Sequence, residues 1–211
     1  MIKAFSCGLI DSNTYIAWEE SSKEGMIIDC GVNPTIIHQF ILENGISVKY
    51  IVLTHGHVDH AEYVEEYSSF FPLAKVVCHA DELVVLNDIE ANLSTWGQNP
   101  RAYKCNYTTV TEGDVLSLEK SGETCMNFTV LHTPGHTPGG ICLYCEKDKI
   151  MFTGDTLFLH SYGRTDFKYG DTPTLYASLR RLLSIDTEIV FYPGHYQSST
   201  IGAERNYYDM D

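Results

Sequence analysis

Basic residues and long apolar runs are both scarce in this chain of 211 residues. Its 14 Lys and Arg are scattered and stand against 28 Asp and Glu, which gives a formal net charge of −14. Because phosphate affinity comes mainly from clustered basic side chains, the sequence predicts no nucleic-acid partner. No segment approaches the roughly 20 apolar residues that a membrane-spanning helix needs, so we also expect no membrane partner.

A secretory signal and a disulfide framework are absent as well. Residues Met1 to Ser6 lack the charged and apolar regions of a signal peptide, which predicts a cytoplasmic protein. The seven cysteines are an odd number, which in that compartment indicates reduced thiols. Cys142 and Cys145 have the spacing Cys-x-x-Cys, but they lie in a predicted strand, where residues three apart face opposite sides. Without a second pair they do not indicate a structural zinc site.

The hydrophobic content of 44% suits one globular domain over residues 1–211. Short apolar segments bounded by Gly, Ser and charged residues predict strands, and Asn33-Pro34 predicts the start of a helix that ends at Gly45. Strands cluster and helices separate the clusters, which favours a layered α/β sandwich over a doubly wound parallel sheet. The predicted strands are 13–18, 25–29, 49–54, 74–78, 115–118, 126–131, 140–145, 150–153 and 188–192, with further helices at 60–67, 81–88 and 174–183.

The most informative segment is Thr54-His55-Gly56-His57-Val58-Asp59-His60, which follows the apolar run Ile51-Val52-Leu53. It places three imidazoles and one carboxylate at the end of a predicted buried strand. Neutral imidazole and carboxylate are preferred donors for Zn²⁺ and similar first-row ions. The segment therefore predicts a metal-binding loop.

Three later segments repeat this pattern of an apolar run that ends in a turn. They are Thr133-Pro134-Gly135-His136-Thr137-Pro138-Gly139-Gly140, Met151-Phe152-Thr153-Gly154-Asp155-Thr156 and Ile189-Val190-Phe191-Tyr192-Pro193-Gly194-His195. Gly or Pro ends each run and lets the backbone turn sharply, which presents His136, Asp155 and His195 at strand ends. Seven candidate metal donors thus follow four predicted strands: His55, His57, Asp59, His60, His136, Asp155 and His195.

The order of these motifs resembles the metallo-β-lactamase superfamily of metal-dependent hydrolases, from about Asn13 to about His195. Within it, Thr-Pro-Gly-His-Thr-Pro-Gly and Thr-Gly-Asp-Thr-Leu-Phe (153–158) are most similar to glyoxalase II, the hydroxyacylglutathione hydrolases. The resemblance implies a four-layer αββα sandwich with two mixed sheets flanked by helices. It also places the metals at one edge, between the sheets.

The resemblance further implies two divalent metal ions and hydrolysis of a thioester or related acyl compound, with S-lactoylglutathione as one example. Zn²⁺ is the first expectation, and the donors also suit iron and manganese. Asp59 would in addition receive the proton of the metal-bridging hydroxide during attack. The implied ligands are His55, His57 and His136 for one ion and Asp59, His60 and His195 for the other, with Asp155 bridging both.

The remaining histidines are expected to be ordinary core or surface residues. His136 is preferred over its neighbour His132 because it follows Pro-Gly in the family phrase, whereas His132 closes the preceding strand. Asp29 matches a family position that supports a ligand rather than binding metal. The histidines given no ligand role are His38, His79, His132 and His160.

Candidates for substrate binding follow Asp155. Gly163-Arg164-Thr165-Asp166 resembles a loop of small glyoxalase II-like enzymes and of persulfide dioxygenases. Arg164 either meets a substrate carboxylate or pairs with Asp166 and orders the loop. The segment from Leu93 to Tyr107 is predicted as a loop over the site. Other candidate pocket residues are Tyr162, Lys168, Tyr169 and Tyr196.

Two alternative functions stay open. A mononuclear iron persulfide dioxygenase uses two His and one Asp, and Gly163 to Phe167 suits it. A nucleic-acid-processing or regulatory module on the same scaffold usually carries a basic clamp, which is not visible here. Full-length hydroxyacylglutathione hydrolases bind glutathione partly through a C-terminal helical domain, whereas only residues 197–211 follow the last motif. A thioester without glutathione is therefore also expected as a substrate.

Overall fold

Two six-stranded sheets form the centre of the molecule. The computed structural model describes residues 1–6, 11–97, 99–120 and 123–208, with backbone only for 120 and 123–125. The first sheet, in the order 1-2-3-4-5-6, contains β1 (Ile2–Ser6), β2 (Asn13–Trp18), β3 (Glu24–Ile28), β4 (Ser47–Val52), β5 (Lys75–His79) and β6 (Tyr107–Val110). The later strands are β7 (Val115–Lys120), β8 (Glu123–His132), β9 (Ile141–Cys145), β10 (Ile150–Gly154), the hairpin β11 (Leu157–Phe158) and β12 (Ser161–Tyr162), β13 (Val190–Pro193) and β14 (Ser199–Thr200). Apart from the hairpin, these form the second sheet in the order 14-13-10-9-8-7.

Both sheets are mixed. Strands β1 to β3 pair antiparallel, and β3 to β6 pair parallel. In the second sheet only the pair of β10 and β13 is parallel. The helices are α1 (Pro34–Asn44), α2 (Val58–Ala61), α3 (Val64–Phe70), α4 (Leu83–Leu86), α5 (Thr172–Leu183) and α6 (Ile201–Tyr207), with 3₁₀ turns at Ala80–Glu82 and Ser94–Trp96.

Successive side chains of each strand point to opposite faces of its sheet, and the apolar ones form three separate layers. On β2, Tyr15 and Ala17 pack between the two sheets, whereas Ile16 and Trp18 pack beneath the helices of the first half. A third layer lies between the second sheet and α5 with α6. This arrangement is the predicted four-layer αββα sandwich.

Local signals set the ends of α1 as predicted. The side chain of Asn33 accepts a hydrogen bond from the N–H of Thr35, Pro34 opens the helix, and Gly45 closes it at φ +63°. The helix predicted from His60 through Tyr67 was wrong in its extent, because the segment forms α2 and α3 with a break between them. Cys30 causes the break: its N–H donates to the carbonyl of His60, and its own carbonyl accepts from the N–H of Tyr63. No helix within the described ranges is long and apolar enough to cross a membrane.

Candidate metal centre

Four segments that follow strands, the first of which includes α2, bring the seven predicted donors to one edge between the sheets. His55, His57, Asp59 and His60 follow β4, and the other three follow β8, β10 and β13. Parallel strands end at the same edge, so β10 and β13 present Asp155 and His195 side by side. Six of the seven side chains are at least nine-tenths buried; His195 is 14% exposed.

The donor atoms form two groups. In the first, Nδ1 of His57 lies 2.9 Å from Nε2 of His136, and His55 lies beside them. In the second, Nε2 of His195 lies 3.1 Å from Oδ2 of Asp59 and 3.3 Å from Nε2 of His60. These are the residue sets that the resemblance assigned to separate ions, and His55, His60 and Asp155 form a third set that overlaps both.

Asp155 lies between the two groups. Its Oδ2 is 3.5 Å from Nε2 of His136 and 4.0 Å from Nε2 of His55. The same oxygen is 3.4 Å from Nε2 of His195, and Oδ1 is 3.3 Å from Nε2 of His60. One carboxylate thus faces donors of both groups, as a bridging ligand must.

The cluster fits two divalent ions. Nε2 of His55, Nε2 of His57 and Oδ1 of Asp155 are buried without a hydrogen-bond partner among the described residues. Leaving a buried lone pair unsatisfied costs free energy, so several such atoms in one cluster indicate a missing electrophile. Nitrogen and oxygen donors of this kind suit first-row divalent metals.

Hydrogen bonds on the far side of the rings fix how two histidines face the cluster. Nδ1 of His60 lies 2.8 Å from Oδ2 of Asp29, and Nδ1 of His136 lies 2.6 Å from the carbonyl oxygen of Arg164. Each Nδ1 therefore carries a proton and donates it, so Nε2 is the ring nitrogen that faces the cluster and can bind a metal. Asp29 also accepts from the N–H and hydroxyl of Thr54, so it ties the metal loop to the ring of His60.

The two groups differ in charge. Burial and the neighbouring His136 lower the pKa of His57 to about 3, so this ring stays neutral. Burial alone would lower the pKa of His195, but its hydrogen bonds to Asp155 and Asp59 raise it to about 9. Burial alone would raise the pKa of Asp59 and of Asp155, but the nearby histidines hold both pKa values well below their usual range. The second group is therefore an ion-paired cluster until a metal displaces its protons.

Glycine is required where backbones approach the cluster. A Cβ on Gly194 would lie 2.1 Å from Oδ1 of Asp155. A Cβ on Gly163 would lie 1.9 Å from the carbonyl oxygen of Asp155 and 3.0 Å from Nδ1 of His136. Only a residue without a side chain lets these loops close around the donors.

Glu82 was missed by the sequence analysis, which treated 81–88 only as a helical segment. Its fully buried carboxylate accepts from the N–H of Gly56 at 2.7 Å, the hydroxyl of Thr137 at 2.9 Å and the N–H of Gly139 at 2.8 Å. Burial raises the pKa of Glu82 to about 7, although these three donors act to lower it. The side chain joins the loop after β4 to the loop after β8. No local signal in the sequence indicates this contact.

A cleft of about 1140 Å³ opens over the donor cluster. Three of the candidate substrate-binding residues line it: Arg164, Tyr162 and Tyr196. Lys168 does not line it, because its ammonium is held 2.6 Å from the carboxylate of Asp88. Tyr169 is likewise outside the lining.

The segment from Leu93 to Tyr107 contributes one wall of the cleft. Leu93 and Trp96 both line it, and the ring of Trp96 packs 5.3 Å from the ring of Phe167. Phe167 in turn packs edge-on against His57 at 5.6 Å. The predicted loop over the site is thus placed beside the first metal-ligand group, with Gln98 outside the described residues.

Sequence comparisons with known proteins agree with this geometry. A sequence model of the metallo-beta-lactamase superfamily matches residues 7–195. An uncharacterized protein of Aquifex aeolicus is 34% identical, over 97% of this chain and 94% of its own length. Hydroxyacylglutathione hydrolase GloC of Haemophilus influenzae is 33% identical, over 92% of this chain and 89% of its own length.

Solved structures show the same likeness. The BLEG-1 B3 metallo-beta-lactamase superposes with a TM-score of 0.86 at 30% identity, covering 98% of this chain and 97% of its own. TTHA1623 in a di-iron-bound form has a TM-score of 0.82 at 30% identity, covering 96% of each chain. ETHE1 from Myxococcus xanthus has a TM-score of 0.77 at 25% identity, covering 98% of this chain and 82% of its own. The chain therefore belongs to the metallo-β-lactamase superfamily.

Proposed function

We propose that the protein is a dinuclear metal-dependent hydrolase of thioesters, of the glyoxalase II-like type. The observation that carries this proposal is the place of Asp155, whose Oδ2 lies within 3.4–4.0 Å of donor atoms from both groups. The likeness of this chain to a hydroxyacylglutathione hydrolase, over most of both chains, supports the same activity. A small-molecule thioester is the proposed partner, and the cytoplasm is the proposed compartment.

The proposed ligands are the seven clustered side chains. Two divalent ions bound there would supply a Lewis acid for the carbonyl oxygen and a water of lowered pKa. Zinc is the first ion to test, with iron and manganese as alternatives. His55, His57 and His136 would hold one ion and Asp59, His60 and His195 the other, with Asp155 shared.

Asp59 is the proposed proton acceptor during hydrolysis. Its carboxylate lies at the base of the cleft, and burial, which alone would raise its pKa, is outweighed by His60 and His195, which lower it. The side chain is therefore ionised and can accept a proton from the attacking water. The hydroxyl of Ser12 donates to its backbone carbonyl at 2.6 Å and holds the residue in position.

A mononuclear iron persulfide dioxygenase is the second candidate. Two observations favour it: the phrase Gly163-Arg164-Thr165-Asp166-Phe167 and the likeness to ETHE1. Such an enzyme needs only two His and one Asp, with open positions for O₂ and substrate. The full set of donors around Asp155 favours the dinuclear hydrolase.

Metal analysis coupled to a thioester panel tests the proposal. We expect two divalent ions per chain and hydrolysis of thioesters that stops when a chelator removes the metal. The panel contains S-lactoylglutathione and thioesters that lack glutathione. One iron per chain, O₂ uptake on a persulfide and no thioester cleavage would establish the second candidate instead.

A further inference from the structure

Cationic side chains are nearly absent from the wall of the cleft. Within the described part of the chain, Arg164 is the one Lys or Arg that lines it. Arg164 already donates from Nε and Nη2 to the carboxylate of Asp166, at 2.6 and 2.5 Å. Lys168 is held by Asp88, and Arg205 donates to two backbone carbonyl oxygens beside α5. A substrate carboxylate therefore meets no unpaired cation from the protein here.

The pair of Arg164 and Asp166 offers a cationic side chain to one anionic substrate group at most. Both side chains are more than half exposed, and exposed pairs are weak enough for a substrate carboxylate to replace Asp166. A second carboxylate, as in glutathione, would meet no further cationic side chain among the described residues of the lining. Asp11 also lines the cleft, and the net charge of −14 opposes the approach of anions.

Aromatic rings flank the donor cluster on two sides. On the side of the first group, Phe167 packs against His57, and Trp96 packs against Phe167. On the side of the second group, the ring of Phe158 packs 5.7 Å from His195 and 5.6 Å from Tyr196. A scissile bond placed over the metals would thus have aromatic walls at both ends.

Two of these rings are left open to solvent. Trp96 is 55% exposed and Tyr196 is 67% exposed, although both line the cleft. Covering them with an apolar substrate group removes apolar surface from water, which favours binding. The side chains of the cleft therefore favour the binding of apolar substrate groups over anionic ones.

We propose that the substrate is a thioester with an aromatic or branched aliphatic acyl group and a thiol part that bears at most one carboxylate. The inference rests on the proposed function, since it concerns the same site and the same reaction. In that reaction water adds its hydroxyl to the acyl carbon, the C–S bond breaks, and the thiolate takes up a proton to leave as a thiol.

Matched thioesters test the acyl and thiol preferences separately. The metal-loaded protein is assayed with S-benzoyl-N-acetylcysteamine, S-benzoylglutathione and S-lactoylglutathione. We expect kcat/KM to be roughly tenfold or more higher for the first than for the third, with the second between them. Added NaCl should lower KM for the two glutathione esters only, because it screens their repulsion. A higher kcat/KM for S-lactoylglutathione than for the benzoyl ester of N-acetylcysteamine would overturn the inference.

A binding measurement gives a readout that does not depend on catalysis. The thioether S-benzyl-N-acetylcysteamine should change the fluorescence of exposed Trp96, whereas S-methylglutathione should not; the other tryptophan, Trp18, is buried. Trp96→Leu, which also removes this reporter, should weaken binding of the thioether measured by calorimetry and raise KM for the benzoyl ester of N-acetylcysteamine several-fold. Phe70→Leu removes an exposed ring outside the cleft and should do neither. Equal effects of both variants would contradict the inference.

The two assays separate the inference from the function on which it rests. If S-lactoylglutathione is hydrolysed best, the substrate inference fails and the hydrolase proposal stands. If the benzyl thioether binds and no thioester is cleaved, the hydrolase proposal fails and the preference of the cleft stands. If the benzyl thioether does not bind and no thioester is cleaved, both fail.

Discussion

Two clusters of histidine and aspartate lie in the part of the chain that the structure describes, and they differ in how their lone pairs are arranged. The seven-donor cluster collects side chains from four segments that follow strands, at one edge of the sandwich. The other cluster consists of His79, Asp81 and His132, whose possible ligand atoms also lie within 4.8 Å of one another. By composition and distance alone, both qualify as metal sites.

The geometry of the smaller cluster argues against a metal. The rings of His79 and His132 stack with centroids 3.9 Å apart at 12°, so their in-plane lone pairs run parallel instead of converging. Nε2 of His132 donates to the carbonyl of Pro138 at 2.9 Å, and Nδ1 of His79 accepts from the N–H of Asp81 at 3.1 Å. These contacts already satisfy one nitrogen of each ring. A metal site therefore needs buried donor atoms that lack hydrogen-bond partners and whose side chains are oriented by neighbouring residues. Donor atoms that merely lie close together are not enough.

The strongest way to test this contrast is Asp155→Ala. The substitution removes the one carboxylate that faces both groups, so two ions would repel each other without compensation. We expect bound metal to fall to one ion per chain or fewer and hydrolysis to fall roughly 10³-fold or more. Elemental analysis and thioester assays measure both. Unchanged metal content would show that Asp155 does not bridge.

Asp29→Asn should have the next largest effect. It keeps the shape of the side chain but removes the charge that orients His60. Loss of such a supporting carboxylate typically lowers metal affinity about 10–100-fold. Competition with a metal indicator gives the affinity. Wild-type affinity in this variant would mean that the hydrogen bond of His60 is structural only.

The pH dependence of metal binding sharpens the difference between the two ligand groups. Because the pKa of His195 is about 9 in the metal-free protein, its proton must leave when metal binds at pH 7. Affinity should therefore rise by about tenfold per pH unit for each proton displaced and level off above about pH 9. Calorimetry in buffers of different ionisation enthalpy measures the protons released. Binding without proton release at pH 7 would contradict the charged state of the second group.

Glu82→Gln tests the link between the loops after β4 and β8. The amide turns one acceptor into a donor that faces the N–H of Gly56 or the donors on Thr137 and Gly139. We expect a loss of about 1–3 kcal/mol of stability, which corresponds to a Tm lower by roughly 2–12 °C. The neighbouring carboxylate of Asp81 is exposed, so Asp81→Asn is the matched control and should leave Tm nearly unchanged.

His132→Ala should have the smallest effect on metal content and activity. The variant loses the stacking on His79 and one hydrogen bond, which together are worth about 1–2 kcal/mol. Metal content and thioester hydrolysis should stay at wild-type levels. If this variant loses as much metal as Asp155→Ala, the choice of ligands is wrong.

Local sequence patterns predicted the parts of the fold and site that depend on neighbouring residues. The ends of four predicted strands placed all seven donors in segments that the structure brings together, and Asn33 and Gly45 set the ends of α1. The edge strands β1, β6 and β14 were not predicted. Strand β1 is mostly exposed and β14 has only two residues, so neither shows a buried apolar pattern.

The features that were missed depend on contacts between distant segments. The break between α2 and α3 follows from Cys30, which lies more than thirty residues before Tyr63 and bonds both sides of the break. Glu82 accepts hydrogen bonds from Gly56 and Thr137 across the site, and Lys168 forms an ion pair with Asp88 outside the lining of the cleft. Nothing in the sequence next to these residues indicates those partners.

Metal stoichiometry measured together with thioester hydrolysis is the most direct test that the protein is a dinuclear thioester hydrolase. The purified wild-type protein would be stripped with a chelator and titrated with Zn²⁺, with bound metal and thioester cleavage measured at each step. We expect saturation at two ions per chain, with full activity only after the second ion binds. Saturation at one ion per chain, or activity complete after the first, would contradict this expectation.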